Sequence, residues 1–215
     1  MITRIINRKF LDEDHYFLYL EKPTNFKFKP GQFIAVVANI NNEKVKRFYS
    51  IASLPKEDFI LLYIKRVPNG KMSNYLAEIP IGSEIEIEGP FGNFTLDKSK
   101  SEKIIFIASG TGIAPVRPLV YEALERGKKV TVIHQERYEK LLAFKEEFEK
   151  LPIEYIPILS REKETKYWKG HVQDYLDKIF DSEADYYIVG NPNFVKDLYQ
   201  RLKEKGAKNI VMELF

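Results

Sequence analysis

Apolar and polar positions along this chain change period once. In the first part the period is two. Tyr16-Phe17-Leu18-Tyr19-Leu20 and the alternation Glu84-Ile85-Glu86-Ile87-Glu88 predict strands, as do the apolar runs over residues 32–37 and 59–65. Turn residues separate them at Pro30-Gly31, residues 39–42, Pro68-Asn69-Gly70, Gly82-Ser83 and Gly89-Pro90. Short strands at this spacing predict an antiparallel barrel or sandwich, with one short helix over residues 73–78. Beyond residue 102 the pattern changes. The run KIIFIA at 103–108 has no polar alternation, as in a buried parallel strand. Helical periodicity then recurs at 115–126, 140–150, 172–179 and 193–205, between strand patterns at 129–134, 153–159, 185–189 and 209–214. Strand–helix alternation of this kind predicts a doubly wound parallel-sheet α/β domain. The polar stretch Asp97-Lys98-Ser99-Lys100-Ser101-Glu102 marks the change, so a β domain over residues 1–98 and an α/β domain over 99–215 are expected.

Composition narrows the function classes. Hydrophobic residues make up 44% and charged residues 30%, so the chain can bury a full core. The net charge of +3 is too small to point to nucleic acid. There is no Cys, which excludes a disulfide scaffold, an iron–sulfur cluster and a thiol nucleophile in this chain. His15, His134 and His171 are scattered, and no metal site is expected. The first twenty residues carry dispersed charges and no apolar core of a leader, and the apolar runs are strand-length. A cytoplasmic protein without membrane insertion is the expectation.

Four local patterns could carry chemistry. Ser109-Gly110-Thr111-Gly112-Ile113-Ala114-Pro115 leaves a buried strand and opens a helix. Glycines let the backbone approach a ligand there, the helix start offers free N–H groups, and Pro115 sits where its missing N–H costs nothing. A pyrophosphate suits such a turn, although α/β domains also contain glycine-rich turns that bind nothing. Gly190-Asn191-Pro192 repeats the arrangement after another strand, and in an open sheet both turns face one crevice; alone, it reads as an ordinary loop. In the β half, Arg47-Phe48-Tyr49-Ser50 follows an expected loop over residues 39–46 and offers an arginine, a flat ring and a hydroxyl for a phosphate-bearing ring compound, or forms a plain half-exposed strand. Gly70-Lys71-Met72-Ser73 places a turn at a short helix start, either an anion site or a simple cap. No acid–base machinery is visible beside these cradles, which points to a cofactor as the carrier of the chemistry.

In this order, together with Gly89-Pro90-Phe91-Gly92 and the carboxyl end Glu213-Leu214-Phe215, these segments resemble the ferredoxin–NADP reductase superfamily over essentially the whole chain. The resemblance implies that the β domain is an antiparallel β-barrel that binds FAD and that the doubly wound α/β domain binds NAD(P). It implies that Arg47 pairs with the FAD pyrophosphate, with Phe48 beside it, that Tyr49 stacks on the isoalloxazine, and that Ser50 hydrogen-bonds near its N5. Ile64, Lys65 and Val67 would lie along the ribityl and diphosphate, and Gly70, Lys71, Met72 and Ser73 would bind the pyrophosphate. Gly110, Thr111, Gly112 and Pro115, with Gly190, Asn191 and Pro192, would hold the nicotinamide nucleotide. Glu213 and Phe215 match the family's terminal acid and aromatic, so Tyr49, Ser50, Glu213 and Phe215 are the residues expected at the hydride transfer. Val189 stands where many members carry Cys.

The implied activity is hydride transfer between NAD(P)H and flavin, with single electrons passed to ferredoxin or flavodoxin as a separate chain. Arg137 follows one strand and Ser160-Arg161 the next, where a 2′-phosphate wants an arginine fork; Ser160 with Arg161 resembles the phosphate-binding pair of NADPH users, which favours NADP(H) over NAD(H), and otherwise both arginines are solvated loop charges. Other readings are an NADH-dependent reductase for a cytochrome or oxygenase, a free-flavin reductase, and a nucleotide-sensing subunit without turnover.

Overall fold

Six antiparallel strands form from the alternating part of the chain: β1 (Ile2–Phe10), β2 (His15–Glu21), β3 (Phe33–Ile40), β4 (Glu43–Ser50), β5 (Phe59–Lys65) and β6 (Glu84–Phe91). The computed structural model describes residues 1–215 and divides into two units, Met1–Thr95 and Leu96–Phe215. In the first unit the strand order is β4-β3-β6-β1-β2-β5. An antiparallel bridge between Ile51 and Leu62, and the Ala52 N–H donating to the Leu61 carbonyl at 2.8 Å, join the two edge strands and close the sheet into a barrel. Closure removes exposed edges. Ile5, Tyr16, Leu18, Leu20, Ile34, Val36, Ile60 and Leu62 fill the interior, and helix α1 (Lys71–Glu78) adds Met72, Leu76 and Ala77 to the same core. The buried Tyr16 hydroxyl donates to the Ser73 carbonyl at 2.7 Å, fixing the start of α1 to the barrel.

Two parts of this unit differ from the sequence reading. Residues 39–46 are not a loop. Asn41 and Asn42 take φ of 51° and 62° and turn the chain in two residues, so that β3 and β4 pair from Ile40↔Glu43 through Phe33↔Ser50. Asparagine tolerates this left-handed conformation, which suits a two-residue hairpin. Strand β1 carries no clear period in the sequence because Ile2, Ile6 and Phe10 are exposed: only Thr3 and Ile5 of its nine residues are buried.

The second unit is a parallel sheet of six strands, β7 (Lys103–Ser109), β8 (Lys129–Glu136), β9 (Glu154–Leu159), β10 (Trp168–Lys169), β11 (Asp185–Gly190) and β12 (Asn209–Leu214), in the order β10-β9-β8-β7-β11-β12. All six residues of β11 are buried. Helix α2 (Ile113–Glu125) buries Val116, Leu119, Val120 and Ala123 at helical spacing, and α5 (Pro192–Glu204) buries Phe194, Val195, Leu198 and Leu202. The expected helix over 140–150 is broken. Phe144 has φ 65°, so a 3₁₀ turn (Glu139–Leu141) precedes a separate α3 (Lys145–Lys150). The aromatic ring of Phe144 lies over the Arg117 guanidinium at 5.4 Å, and Arg117 Nε donates to both carboxylate oxygens of Glu147 on α3 at 2.9 and 3.0 Å, which ties the broken segment to α2. Residues 172–179 likewise split into a 3₁₀ turn (Val172–Tyr175) and a short α4 (Leu176–Ile179). No helix is long and apolar enough to cross a membrane.

Leu62 is fully buried beside the bridge that closes the barrel. Leu62→Ala should lower the stability of the first unit by about 2–5 kcal/mol, read from the midpoint of urea unfolding.

Candidate functional site

Strand β4 ends in the Arg47–Ser50 segment. Alternation puts Val45, Arg47 and Tyr49 on one face. Val45 is buried, Tyr49 packs half-buried against the barrel core, and Arg47 stays exposed beside them without an ion pair, one of its terminal N–H groups donating to the Lys46 carbonyl at 2.8 Å. Burial pushes the Tyr49 hydroxyl up to about 12, against the opposing effect of the Arg47 charge, so at neutral pH it is an uncharged ring with a donor at its edge. Phe48 points the other way, 59% exposed, with Phe33 edge-on at 5.7 Å.

The turn after β5 leads into α1, whose first residue is held to β4 by an ion pair between Lys71 and Glu43. The turn is closed from within. The Ser73 hydroxyl accepts from the Val67 N–H at 3.1 Å, and the Asn74 amide donates to the Val67 and Gly70 carbonyls at 2.9 and 2.6 Å. A Cβ on Gly70 would stand 2.8 Å from that hydroxyl. Met72 and Ile64 point into the core, so these residues and Ser73 can offer a ligand only their backbone. No side chain caps α1, and a helix start leaves its first N–H groups without intrahelical acceptors. Arg47, Lys71 and these N–H groups lie on adjoining elements, an arrangement that fits a pyrophosphate and a flat ring over Tyr49.

In the second unit the Gly110–Gly112 turn also lacks a side-chain cap. Gly110 has φ 56°, which glycine adopts without strain. A Cβ on Gly112 would stand 2.8 Å from the Val189 carbonyl and 3.1 Å from the Phe215 ring, and one on Gly190 would overlap the Ser109 hydroxyl. The two glycine turns therefore meet at the carboxyl ends of β7 and β11, as their sequence placement predicts. Asn191 behaves differently: its side-chain oxygen accepts from the Phe194 N–H at 3.0 Å and caps α5. Gly190 accepts the Phe215 N–H at 3.2 Å, which anchors the end of the chain. Glu213 lies opposite Val189 in the register, with a buried Oε2 that has no hydrogen-bond partner. Burial raises its carboxyl to about 7.

Strands β8 and β9 bring the basic residues together. The Ser160 N–H donates to the Glu136 carbonyl at 2.9 Å and the Arg161 N–H to the Arg137 carbonyl at 3.0 Å, so Arg137 and Ser160-Arg161 leave the sheet side by side. Both guanidinium groups are exposed and neither forms an ion pair. Beneath them lies a buried polar pair that sequence reading missed as a unit. His134 and Glu136 point to the same face, and burial lowers His134 to about 3, outweighing its interaction with the Gly110 backbone, so the imidazole is neutral. Tyr155 approaches its Nδ1 at 3.3 Å. The signal available was two titratable residues, His134 and Glu136, two apart at the end of the strand and so on one face.

Comparison with known proteins identifies this arrangement. Residues 4–96 match the oxidoreductase FAD-binding domain and residues 106–200 the oxidoreductase NAD-binding domain. A flavodoxin/ferredoxin–NADP reductase from Buchnera aphidicola is 32% identical over 208 residues, covering 82% of this chain and 80% of its own length. The chain belongs to the ferredoxin–NADP reductase superfamily. This is a superfamily of FAD-dependent NAD(P)H oxidoreductases, and the fit of both phosphate cradles agrees with its two cofactors. The fold matches a ferredoxin NADP+ reductase from Neisseria gonorrhoeae with a TM-score of 0.93 at 21% identity, covering 100% of this chain and 98% of that one. A flavohemoprotein from Candida albicans is 28% identical over 99% of this chain, which spans only 57% of that relative. Like other flavohemoproteins and a glycine betaine monooxygenase reductase subunit, it is matched over little more than half its length.

The raised Glu213 carboxyl has a consequence for stability. With a folded value of about 7 against an ordinary 4.5, the native state binds the extra proton between these two pH values, so stability falls as pH rises through that window. Glu213→Gln removes the cost, and the gain in melting temperature of the variant over the parent should grow between about pH 5 and pH 8.

Proposed function

We propose that this chain is an NADPH-dependent reductase that delivers electrons one at a time to a separate carrier protein, ferredoxin or flavodoxin. The observation that carries the choice of nucleotide is the Arg137 and Ser160-Arg161 pair. Two guanidinium forks without acidic partners, beside a hydroxyl at the carboxyl edge of a parallel sheet, suit the 2′-phosphate of NADPH. Gly110, Thr111 and Gly112 then take the nucleotide pyrophosphate through backbone N–H groups, with Pro115 in the first turn of α2 and Gly190 and Pro192 shaping the neighbouring turn. In the first unit Arg47 and the start of α1 take the FAD pyrophosphate, Tyr49 stacks on the ring, Ser50 faces the ring's edge, and Lys65 and Val67 flank the chain between. FAD, when bound, supplies the exchange between a two-electron hydride donor and one-electron acceptors. Glu213 is poised near neutrality to hold or release a proton beside Phe215, whose ring must leave Gly112 before a nicotinamide can enter.

Support for a ferredoxin or flavodoxin partner comes from the flavodoxin/ferredoxin–NADP reductase relative, 80% of whose length this chain spans, and from a small net positive charge that attracts acidic carriers. The second reading, a reductase component for an oxygenase or haem protein, draws on the glycine betaine monooxygenase reductase and flavohemoprotein relatives.

The visible spectrum of the purified protein, before and after anaerobic NADPH, tests the core of the proposal. Flavin bands that bleach are expected, and a spectrum without flavin overturns it. Arg137→Ala and Arg161→Ala should each raise KM for NADPH about tenfold while sparing NADH, the scale of one charge-assisted phosphate contact. Equal effects on both nucleotides would remove the 2′-phosphate role. Turnover with ferredoxin, flavodoxin and cytochrome in parallel decides the acceptor.

A further inference from the structure

The parallel sheet has a second opening, at the end opposite the glycine turns. A cleft of about 570 Å³ lies where β7, β8 and β9 begin, within the size range of small-molecule sites. Thr131, on its wall, is five residues before Glu136 on β8, about 17 Å along the strand. Ile156, Trp168 and Phe180 are partly buried against the core of this unit and give the cleft its apolar surface. Trp168 is held in place by Tyr175, stacked at 4.4 Å.

The charges around the cleft are mostly committed. Lys103 donates to Asp181 at 3.1 Å, and Glu154 at the rim accepts the Thr131 hydroxyl at 3.1 Å. Lys178 is the exception. Its ammonium lies 5.7 Å from the Trp168 ring centre and 5.6 Å from that of Tyr175, and it forms no ion pair. An uncompensated cation above a fixed indole, beside an open apolar surface, is suited to a flat ring that carries a negative group.

We propose that this cleft is a second binding site, separate from the nucleotide turns, for a small planar aromatic anion. The ring lies against Trp168 and Phe180, and the carboxylate or phosphate reaches Lys178. The inference is independent of the acceptor and nucleotide assigned above.

Trp168 is the only tryptophan in the chain, so its indole N–H gives a single reporter resonance in the intact labelled protein. Titration with 2-naphthoate should shift that resonance saturably. The neutral 2-naphthamide should bind about three- to fivefold more weakly, and Lys178→Met should weaken 2-naphthoate by the same factor, the worth of one exposed ion pair. The amide comparison uses the parent protein and stands even if the variant folds poorly. No saturable shift, equal affinity for acid and amide, or displacement of 2-naphthoate by NADP+ would each overturn the proposal.

Discussion

The second unit depends on one contact that only a hydrogen permits: the Cα of Gly112 against the Val189 carbonyl. Strands β7 and β11 are neighbours paired from Asp185↔Ile104 to Val189↔Ala108, so their carboxyl ends arrive at the same level. Chains leaving adjacent parallel strands compete for the same space. Glycines at 112 and 190 resolve that competition by removing side chains where the backbones converge. The same approach lets β12 lie beside β11 to Gly190↔Leu214, which brings Glu213 and Phe215 to the turn. The terminal residues owe their position to this close approach together with the ladder to β11 and the bond from the Phe215 N–H to the Gly190 carbonyl.

Of the three glycine turns, two end in uncapped starts, at α1 and at Gly110–Gly112, while the third is sealed by Asn191. A side-chain cap satisfies the groups that an anion would otherwise use. The sealed turn accepts the Phe215 N–H through Gly190 and so positions the end of the chain, and the open ones retain donors. Similar sequence patterns thus divide into cradles and a scaffold according to whether the residue after glycine has an oxygen that reaches back.

Most of the architecture was legible because each unit keeps one period. The apolar runs of β5 and β7 and the alternation of β6 have one structural solution each. What stayed hidden had tertiary causes. Strand β1 shows little alternation because Ile2, Ile6 and Phe10 are exposed while the polar Thr3 is buried, and β10 is too short for any period. The break at Phe144 is stabilised by Arg117 from another helix, which no local pattern encodes. Among the site residues, the motifs located the turns and the Arg47–Ser50 strand but not the direction in which each side chain points. Ile64 and Met72 are core residues that bring only backbone to a site, and Ser73 spends its hydroxyl inside its own turn. The register between β8 and β9, which sets Arg137 beside Arg161, is likewise invisible along the chain.

The carboxyl edge of the sheet also gathers its titratable groups in uncharged or easily neutralised forms. His134 is kept neutral by burial, which outweighs the opposing effect of the Gly110 backbone, and Glu213 is raised toward neutrality with one oxygen unsatisfied. A carboxyl buried without a partner costs stability whenever it ionises. Random placement would put such a group at the surface, where it costs nothing. Here it sits on the last strand, two residues before Phe215, whose N–H bonds to the glycine turn and whose ring lies over Gly112. Perturbed groups of this kind concentrate where chemistry needs them. The penalty is therefore borne at the edge where the glycine turns converge, beyond a sheet centre of buried apolar residues such as Ile105, Phe106, Val132 and Ile188.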